Sequence, residues 1–117
     1  MSVIIINNTP TRQDIASARE DYNDYIKITA DIDKEIVAMG GEYHADAEAI
    51  MIKDYNCQQE NIWGGGYQIS KDEFIVDALI NIRPSDNNSS TDILDPSKRV
   101  KFLTLAKQKL ANIKSLL

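Results

Sequence analysis

The stretch "GGEYHADAE" (residues 40–48) contains the only histidine of the chain. Within it, Glu42, His44, Asp46 and Glu48 stand at alternate positions. If the stretch is a β-strand, these side chains share one face, because residues two apart point to the same side. Such a row could supply ligands to a divalent cation, or a His44–Asp46 pair for acid–base chemistry. The polar outer face of a sheet explains the same pattern without any chemistry.

The rest of the sequence adds no catalytic or metal-binding motif to this row. It has no H-E-x-x-H motif, and one histidine with one cysteine cannot complete a structural zinc site. Cys57 has no histidine near it in sequence, and no serine lies in a G-x-S-x-G elbow. The sequence therefore predicts no cofactor and assigns no catalytic residue. His44, Asp46 and Glu48 are the candidate ligands if a metal is bound.

A second candidate is "WGGG", residues 63–66. Three consecutive glycines cost conformational entropy, so a backbone geometry or the close approach of another group must require them. A phosphate could approach the backbone at Gly65, although the run is neither a G-x-G-x-x-G motif nor a P-loop. Trp63 could stack on a ligand ring, or fill the core with its N–H bonded. The structural interpretation is favoured for both residues.

A third candidate lies in "INIRPSDNNSS", residues 80–90. Arg83, at the end of a predicted strand, offers a planar fork for a carboxylate or phosphate, and Asn88 and Ser90 could add donors. Alternatively, Arg83 forms an ion pair inside the protein with Asp46 or Glu48, and the other two residues shape the turn. The internal ion pair is the favoured interpretation.

Length and composition indicate an ordinary globular protein. A chain of 117 residues with 43% hydrophobic and 26% charged residues predicts a single domain, residues 1–117. No run approaches the roughly 18 consecutive apolar residues of a membrane-spanning helix. The first ten residues lack the basic segment of a signal peptide. One cysteine permits no internal disulfide, so we expect a reducing, cytoplasmic location.

The net charge of −5 is unevenly distributed. From Pro96 onwards six residues are basic and none is acidic, so residues 1–95 hold seven basic against 18 acidic side chains. An acidic body disfavours nonspecific nucleic-acid binding, which requires a basic face. The basic segment could bind nucleic acid, but a solvated helix face is the favoured interpretation, and pairing with the acidic body is a further alternative.

The hydrophobic pattern predicts a strand at residues 2–7, a helix capped by Thr11 and ending near Tyr22, and a hairpin over residues 24–41. Two more strands follow over "IWGGGYQI" and "EFIVDALINIRP", and the second ends at Pro84. A final helix begins with Asp95 as its N-cap and Pro96 in its first turn. Residues 43–53 are ambiguous, because their alanines favour a helix while their strict alternation favours a strand.

The segments GGE-x-HAD-x-E, WG and INIRP-x3-N-x-S together resemble a family of small uncharacterised bacterial proteins, known as a domain of unknown function. The resemblance covers almost the whole chain and implies an architecture and candidate positions, but no activity. In the family pattern the first motif leads into a Gly-Ser turn before WG, which implies a strand and hairpin. The resemblance therefore tips the prediction for residues 43–53 to a strand. This chain departs from the pattern with "DYNCQQEN" at the turn and with additional glycines after Trp63.

The order of elements predicts an α+β two-layer sandwich, with the N-terminal and C-terminal helices on one face of a mostly antiparallel sheet. The favoured function is non-catalytic binding of a small anionic ligand or a protein partner, and a homodimer through an exposed sheet face or edge is also expected. The alternative is a metal-assisted or acid–base, hydrolase-like enzyme, followed by nucleic-acid binding through the C-terminal helix. The candidate ligand-binding residues are His44, Asp46, Glu48, Trp63, Gly65, Arg83, Asn88 and Ser90.

Overall fold

The computed structural model describes residues 2–117, which form a five-stranded sheet with α-helices packed on it. The strands are β1 (Val3–Ile5), β2 (Tyr25–Asp31), β3 (Ile36–Gly40), β4 (Ile62–Gln68) and β5 (Glu73–Ile75). The helices are α1 (Arg12–Ala18), α2 (His44–Tyr55), α3 (Pro96–Lys109) and α4 (Ile113–Leu116). These elements confirm the predicted α+β class. Within the described residues, no helix combines the length and apolar character needed to cross a membrane.

The strands pair antiparallel throughout, in the order β1-β3-β2-β4-β5. The predicted hairpin is present as β2 and β3, and Asp31 closes its turn by accepting hydrogen bonds from the N–H groups of Asp33 and Lys34. The central strand, β2, pairs along its whole length with β4. Because alternate residues of each strand point to opposite sides, the sheet has two faces of different composition.

The first face of the sheet, which carries Ile28, Val37 and Trp63, is covered by α1 and α3. These three side chains pack in one buried apolar cluster with Ile15 of α1 and Phe102 of α3. Removing this apolar surface from water is the main favourable term that holds the helices on the sheet. The predicted placement of the N-terminal and C-terminal helices on one face is confirmed.

Both of these helices begin at the predicted caps. The Thr11 side chain accepts a hydrogen bond from the Asp14 N–H, and the Asp14 carboxylate accepts one from the Thr11 N–H. Asp95 caps α3 by accepting from the N–H groups of Ser97 and Lys98. The first helix ends at Ala18, before the predicted end near Tyr22, because the next residue leaves the helical conformation.

The second face of the sheet, which carries Thr29, Ala38 and Gly64, is partly covered by α2. This helix corrects the strand predicted over residues 43–53. Asp46 caps its first turn by accepting from the backbone N–H three residues earlier, and Ala47 is fully buried in the cluster that includes Ala38. The helix propensity of the alanines and this buried contact outweigh the alternation of polar residues.

The strand predicted over residues 73–84 is also shorter in the structure. It ends at Ile75, and Leu79–Asn81 forms a single 3-10 turn. The Asn81 side chain takes the place of further strand, because its amide oxygen accepts from the Gly64 N–H and its amide nitrogen donates to the Gly64 carbonyl, both at 2.9 Å. Since this pairing satisfies the edge of β4, the chain after β5 is free to cross towards α2.

Candidate ligand-binding site

Gly40 and Gly41 turn the chain from β3 into α2. Their φ angles, 86° and 94°, lie in the region that residues with a side chain rarely adopt. The Tyr22 hydroxyl donates a hydrogen bond of 2.7 Å to the carbonyl of Glu42, which fixes the end of the turn. The glycine pair of the GGE motif therefore serves to place His44 at the first position of α2.

His44 is buried between α2 and β4, with 7% of its surface exposed. Its Nε2 atom lies 2.7 Å from the Gly65 carbonyl oxygen, and because that oxygen only accepts, Nε2 carries the hydrogen. Burial lowers the pKa of His44 to about 4, the Gly65 hydrogen bond opposes this shift, and the charge of Lys27 adds to it. At neutral pH the ring is therefore uncharged, with a lone pair on Nδ1.

The glycines of "WGGG" allow other groups to approach β4 closely. A Cβ atom on Gly64 would lie 2.9 Å from Cδ2 of His44 and 2.6 Å from Cβ of Ala78. A Cβ on Gly65, which points to the first face, would lie 2.8 Å from Cε1 of Phe102. All three distances are shorter than van der Waals contact, so the two glycines are needed for packing on both faces.

A cavity of about 360 Å³ opens beside His44 on the second face. We call it the His44 cavity, and its lining includes Lys27, Tyr43, His44, Asp77, Leu79 and Ile80. Leu79 is 77% exposed and Tyr43 is 60% exposed, although both are large. Large apolar or aromatic side chains exposed around a concave surface are typical of a site that binds a ligand or partner.

Two other cavities differ from the His44 cavity in their lining. One, also of about 360 Å³, lies between the β2–β3 turn and α3, and one of about 300 Å³ lies along residues 4–11. Neither is lined by a buried polar side chain of the described residues. Since a binding site combines apolar walls with a few fixed polar groups, the His44 cavity is the best candidate.

Lys27 is the basic side chain of the His44 cavity. Its Nζ atom lies 4.8 Å from the ring centroid of Tyr22 and 5.6 Å from that of Tyr25, which favours the charged ammonium. Burial lowers the pKa of Lys27, and the negative charge of Asp77 opposes this. No ion pair within 4.0 Å joins Lys27 to Asp77 in residues 2–117, so the ammonium is available to a ligand.

The first turn of α2 adds backbone donors to the same cavity. The first N–H groups of any helix lack an intrahelical partner, and those of His44 and Ala45 have no other acceptor among the residues described. Asp46 directs its carboxylate to the Tyr43 N–H. The free N–H groups and the positive end of the helix dipole both favour a bound anion.

Three of the predicted site residues, Glu48, Trp63 and Arg83, form a separate group at the edge of β4. The guanidinium of Arg83 stacks on the ring of Trp63 at 3.9 Å and donates to the carbonyl of Gln59. Burial raises the pKa of Glu48, and the charge of Arg83 opposes this. Glu48 Oε2, Trp63 Nε1 and two Arg83 nitrogens are buried without a hydrogen-bond partner. Such atoms are commonly satisfied by ordered water.

The predicted ion pair of Arg83 with Asp46 or Glu48 does not form within 4.0 Å among residues 2–117, although the charges of Arg83 and Glu48 act on each other. Arg83 instead lies 3.7 Å from the carboxylate of Asp86, three residues along the chain. The helical conformation of residues 44–55 is the reason, because it directs Asp46 towards its own first turn.

Asn88 and Ser90 hold the loop that forms one wall of the cavity. The amide nitrogen of Asn88 donates to the carbonyls of Asn81, Ser90 and Asp92 at 2.8 to 3.0 Å, and its oxygen accepts from the Leu94 N–H. The Ser90 hydroxyl accepts from the Asp92 N–H. Both residues are engaged within the protein, as in the turn-shaping interpretation.

The predicted row of Glu42, His44, Asp46 and Glu48 does not share one face, because α2 turns by about 100° per residue. Among residues 2–117, no group of three or more His, Cys, Asp or Glu side chains is placed to hold a metal ion. Of the predicted candidates, the structure brings His44 and Gly65 together through a hydrogen bond, and His44 lines the cavity. The others lie in the helix cap, at the edge of β4 or within the loop.

Sequence reasoning missed Lys27, Asp77 and Leu79. Lys27 carried a weak signal, because it alternates with the apolar residues of β2 and so points away from the first face. Leu79 was assigned to a strand that the structure ends at Ile75. No signal in the sequence places residues 77–80 beside α2, since this depends on Asn81 closing the edge of β4.

Comparison with known families identifies one match. Residues 4–109 match the family described as "Protein of unknown function (DUF5674)". The match extends from β1 to the end of α3 and includes all residues that line the His44 cavity. No curated protein and no solved structure matches the chain.

Proposed function

Since the chain belongs to this family of unknown function, whose description specifies no ligand, we propose that the His44 cavity binds a small organic anion. The observation that carries the proposal is the combination of an ammonium, a helix N-terminus and exposed apolar side chains in one cavity. The anionic group contacts Lys27 and the first N–H groups of α2, and an apolar body lies against Leu79 and Ile80.

The proposed binding is non-catalytic. A histidine whose pKa is lowered to about 4 is a weak base and is not a proton donor at neutral pH. The metal-assisted or acid–base alternative, which uses His44, Asp46 and Glu48 together, gains no support because the three side chains do not converge. Asp46 is assigned to the cap of the first turn of α2, through the Tyr43 N–H, and not to acid–base chemistry.

Nucleic-acid binding through the basic C-terminal segment has less support than the cavity. Arg99 of this segment pairs with Asp92 at 2.9 Å, and Lys114 pairs with Asp72 at 3.1 Å. These contacts support the interpretation that part of the basic segment pairs with the acidic body. Self-association and a cytoplasmic location stay predictions from the sequence.

The test is isothermal titration at pH 7 with small anions and their neutral counterparts. The probes are phenylacetate, cyclohexylacetate and phenyl phosphate, with phenylacetamide and cyclohexylacetamide as the neutral counterparts of the two carboxylates. We expect each carboxylate to bind at least about tenfold more tightly than its amide, because charge-assisted hydrogen bonds are the stronger ones. Lys27→Met should remove about this factor while keeping the apolar stem between the two tyrosine rings.

The matched control is Lys107→Met, which removes the same charge from an exposed position on α3 that lines none of the three cavities. It should leave the affinity for phenylacetate unchanged. Equal losses in the two variants would indicate a general charge effect and contradict the proposed site. No binding by any of the anions at about 10 mM would overturn the proposed function itself.

A further inference from the structure

His44 has a second ring nitrogen, Nδ1, that the hydrogen bond to Gly65 does not use. Because Nε2 donates to the Gly65 carbonyl, Nδ1 holds a lone pair and can only accept a hydrogen bond. Nδ1 has no hydrogen-bond partner among the described residues. Because it does not belong to the atoms that are both fully buried and without a partner, part of its surface is exposed. Because His44 is otherwise buried and lines the cavity, we assign the exposed part of Nδ1 to the cavity side.

This lone pair constrains which anions fit. A ligand that fills the cavity displaces the water that would otherwise donate to Nδ1. If the ligand presents to Nδ1 only oxygen atoms that carry no hydrogen, Nδ1 is buried without a donor. This lowers the favourable free energy of binding. A ligand with its own donor at this position avoids that cost.

The donor and the anionic group of such a ligand must lie close together. Nδ1 and the free N–H at the start of α2 both belong to His44, so they are separated by only a few bonds. A hydroxyl and a carboxylate on neighbouring carbons match this separation. Asp77 also lines the cavity, and its charge disfavours a ligand with a second carboxylate.

Building on the proposed function, we infer that the ligand is a small 2-hydroxy carboxylic acid with an apolar substituent. Its hydroxyl donates to Nδ1 of His44, and its carboxylate contacts Lys27 and the first turn of α2. His44 thus acts as a specificity-determining residue that distinguishes a hydroxy acid from the plain acid of the same size.

The experiment compares each enantiomer of mandelate with phenylacetate, which lacks only the hydroxyl. We expect one enantiomer to bind wild-type protein about threefold to tenfold more tightly than phenylacetate, the worth of one neutral hydrogen bond. In His44→Gln the amide nitrogen can still donate to the Gly65 carbonyl, while the one acceptor that remains, the amide oxygen, is displaced from the Nδ1 position. The variant should bind both acids equally, at the affinity of wild type for phenylacetate.

A second measurement covers the case in which His44→Gln does not fold. In wild-type protein the ¹⁵N resonance of Nδ1 should keep the position of an accepted hydrogen bond on binding mandelate. On binding phenylacetate, which displaces the donating water, the resonance should move away from that position. Equal affinities for both acids in wild type, or a preference that persists in His44→Gln, would overturn the inference and leave the proposed function standing. Binding of neither acid, nor of any other anion tested, would overturn both.

Discussion

The two faces of the sheet differ in the polarity of their buried side chains and in how completely helices cover them. On the first face, Ile28, Trp63 and Phe102 are buried in an apolar cluster that two helices cover. On the second face, α2 leaves a cavity, and Thr29 and His44 are buried among the apolar residues. The first face is therefore closed and apolar, while the second is partly open and contains polar groups.

This difference indicates where stability and function are located. Burial of apolar surface on the first face supplies stabilising free energy without specific chemistry. The second face holds buried polar atoms, such as Thr29 Oγ1 and Glu48 Oε2, that have no partner among residues 2–117, and a buried polar atom costs stability unless water pairs with it. A functional site is expected in a region that, like this one, leaves a cavity and buries polar atoms instead of closing an apolar core.

The largest effect should come from the first face. Phe102→Ala removes a fully buried ring that packs against Gly65, and we expect a loss of about 3–5 kcal/mol in the free energy of unfolding by urea. Val100→Ala, at an exposed position of the same helix, should change it by less than about 0.5 kcal/mol. Similar values for the two variants would show that this face is not the tightly packed one.

Gly64→Ala tests the packing of the second face. The new methyl group would press on His44 and Ala78, so we expect a loss of about 1–3 kcal/mol in stability. Because His44 must move, the affinity for phenylacetate should fall as well. Urea unfolding and titration of the same sample measure both effects, and unchanged binding would show that the His44 ring does not shape the cavity.

The second face should also make stability depend on pH, because it contains the buried His44. Unfolded His44 takes up a proton near its ordinary pKa of 6.5, whereas the folded ring resists protonation until about pH 4. Stability contributed by the neutral ring is therefore present above pH 6.5 and is lost as the pH falls towards 4. Between pH 7 and pH 5 the loss should be about 2 kcal/mol.

The control for this pH dependence is His44→Gln, which cannot titrate at this position. Other groups also influence this pH dependence: burial raises the pKa of Glu48, and the charge of Asp77 acts on the His44 ring. The informative quantity is therefore the difference between wild type and variant. Parallel stability curves for the two proteins over this pH range would show that His44 is not held neutral by burial.

The smallest effect on stability should come from the cavity wall. Leu79→Ser changes a side chain that is largely exposed, so the free energy of unfolding should move by less than about 0.5 kcal/mol. The affinity for phenylacetate should nevertheless fall severalfold, since the ligand loses apolar contact. A large loss of stability would instead assign Leu79 to the core.

Much of the fold was predictable from local signals in the sequence. The hairpin of β2 and β3 and the caps at Thr11 and Asp95 depend on residues close to one another, and these predictions are confirmed. The helix at residues 44–55 was missed because the family resemblance was weighted above the alanine content, which favoured a helix.

The site was less predictable, because it depends on contacts between distant segments. The histidine was recognised as a candidate, but its partner Gly65 lies 21 residues further along the chain. The opposite wall requires Asn81 to pair with Gly64 and Asn88 to organise its loop. These side-chain to backbone bonds have no periodic signature, so sequence patterns alone could not place Leu79 beside Lys27.

The most direct test of the ligand-binding account is to map where phenylacetate changes the backbone amide resonances of uniformly ¹⁵N-labelled protein. The account predicts saturable changes at residues 43–45, at residues 77–80 and at Lys27, with the first face unaffected. Changes centred on the cavity between the β2–β3 turn and α3 would contradict it, and so would the absence of any saturable change.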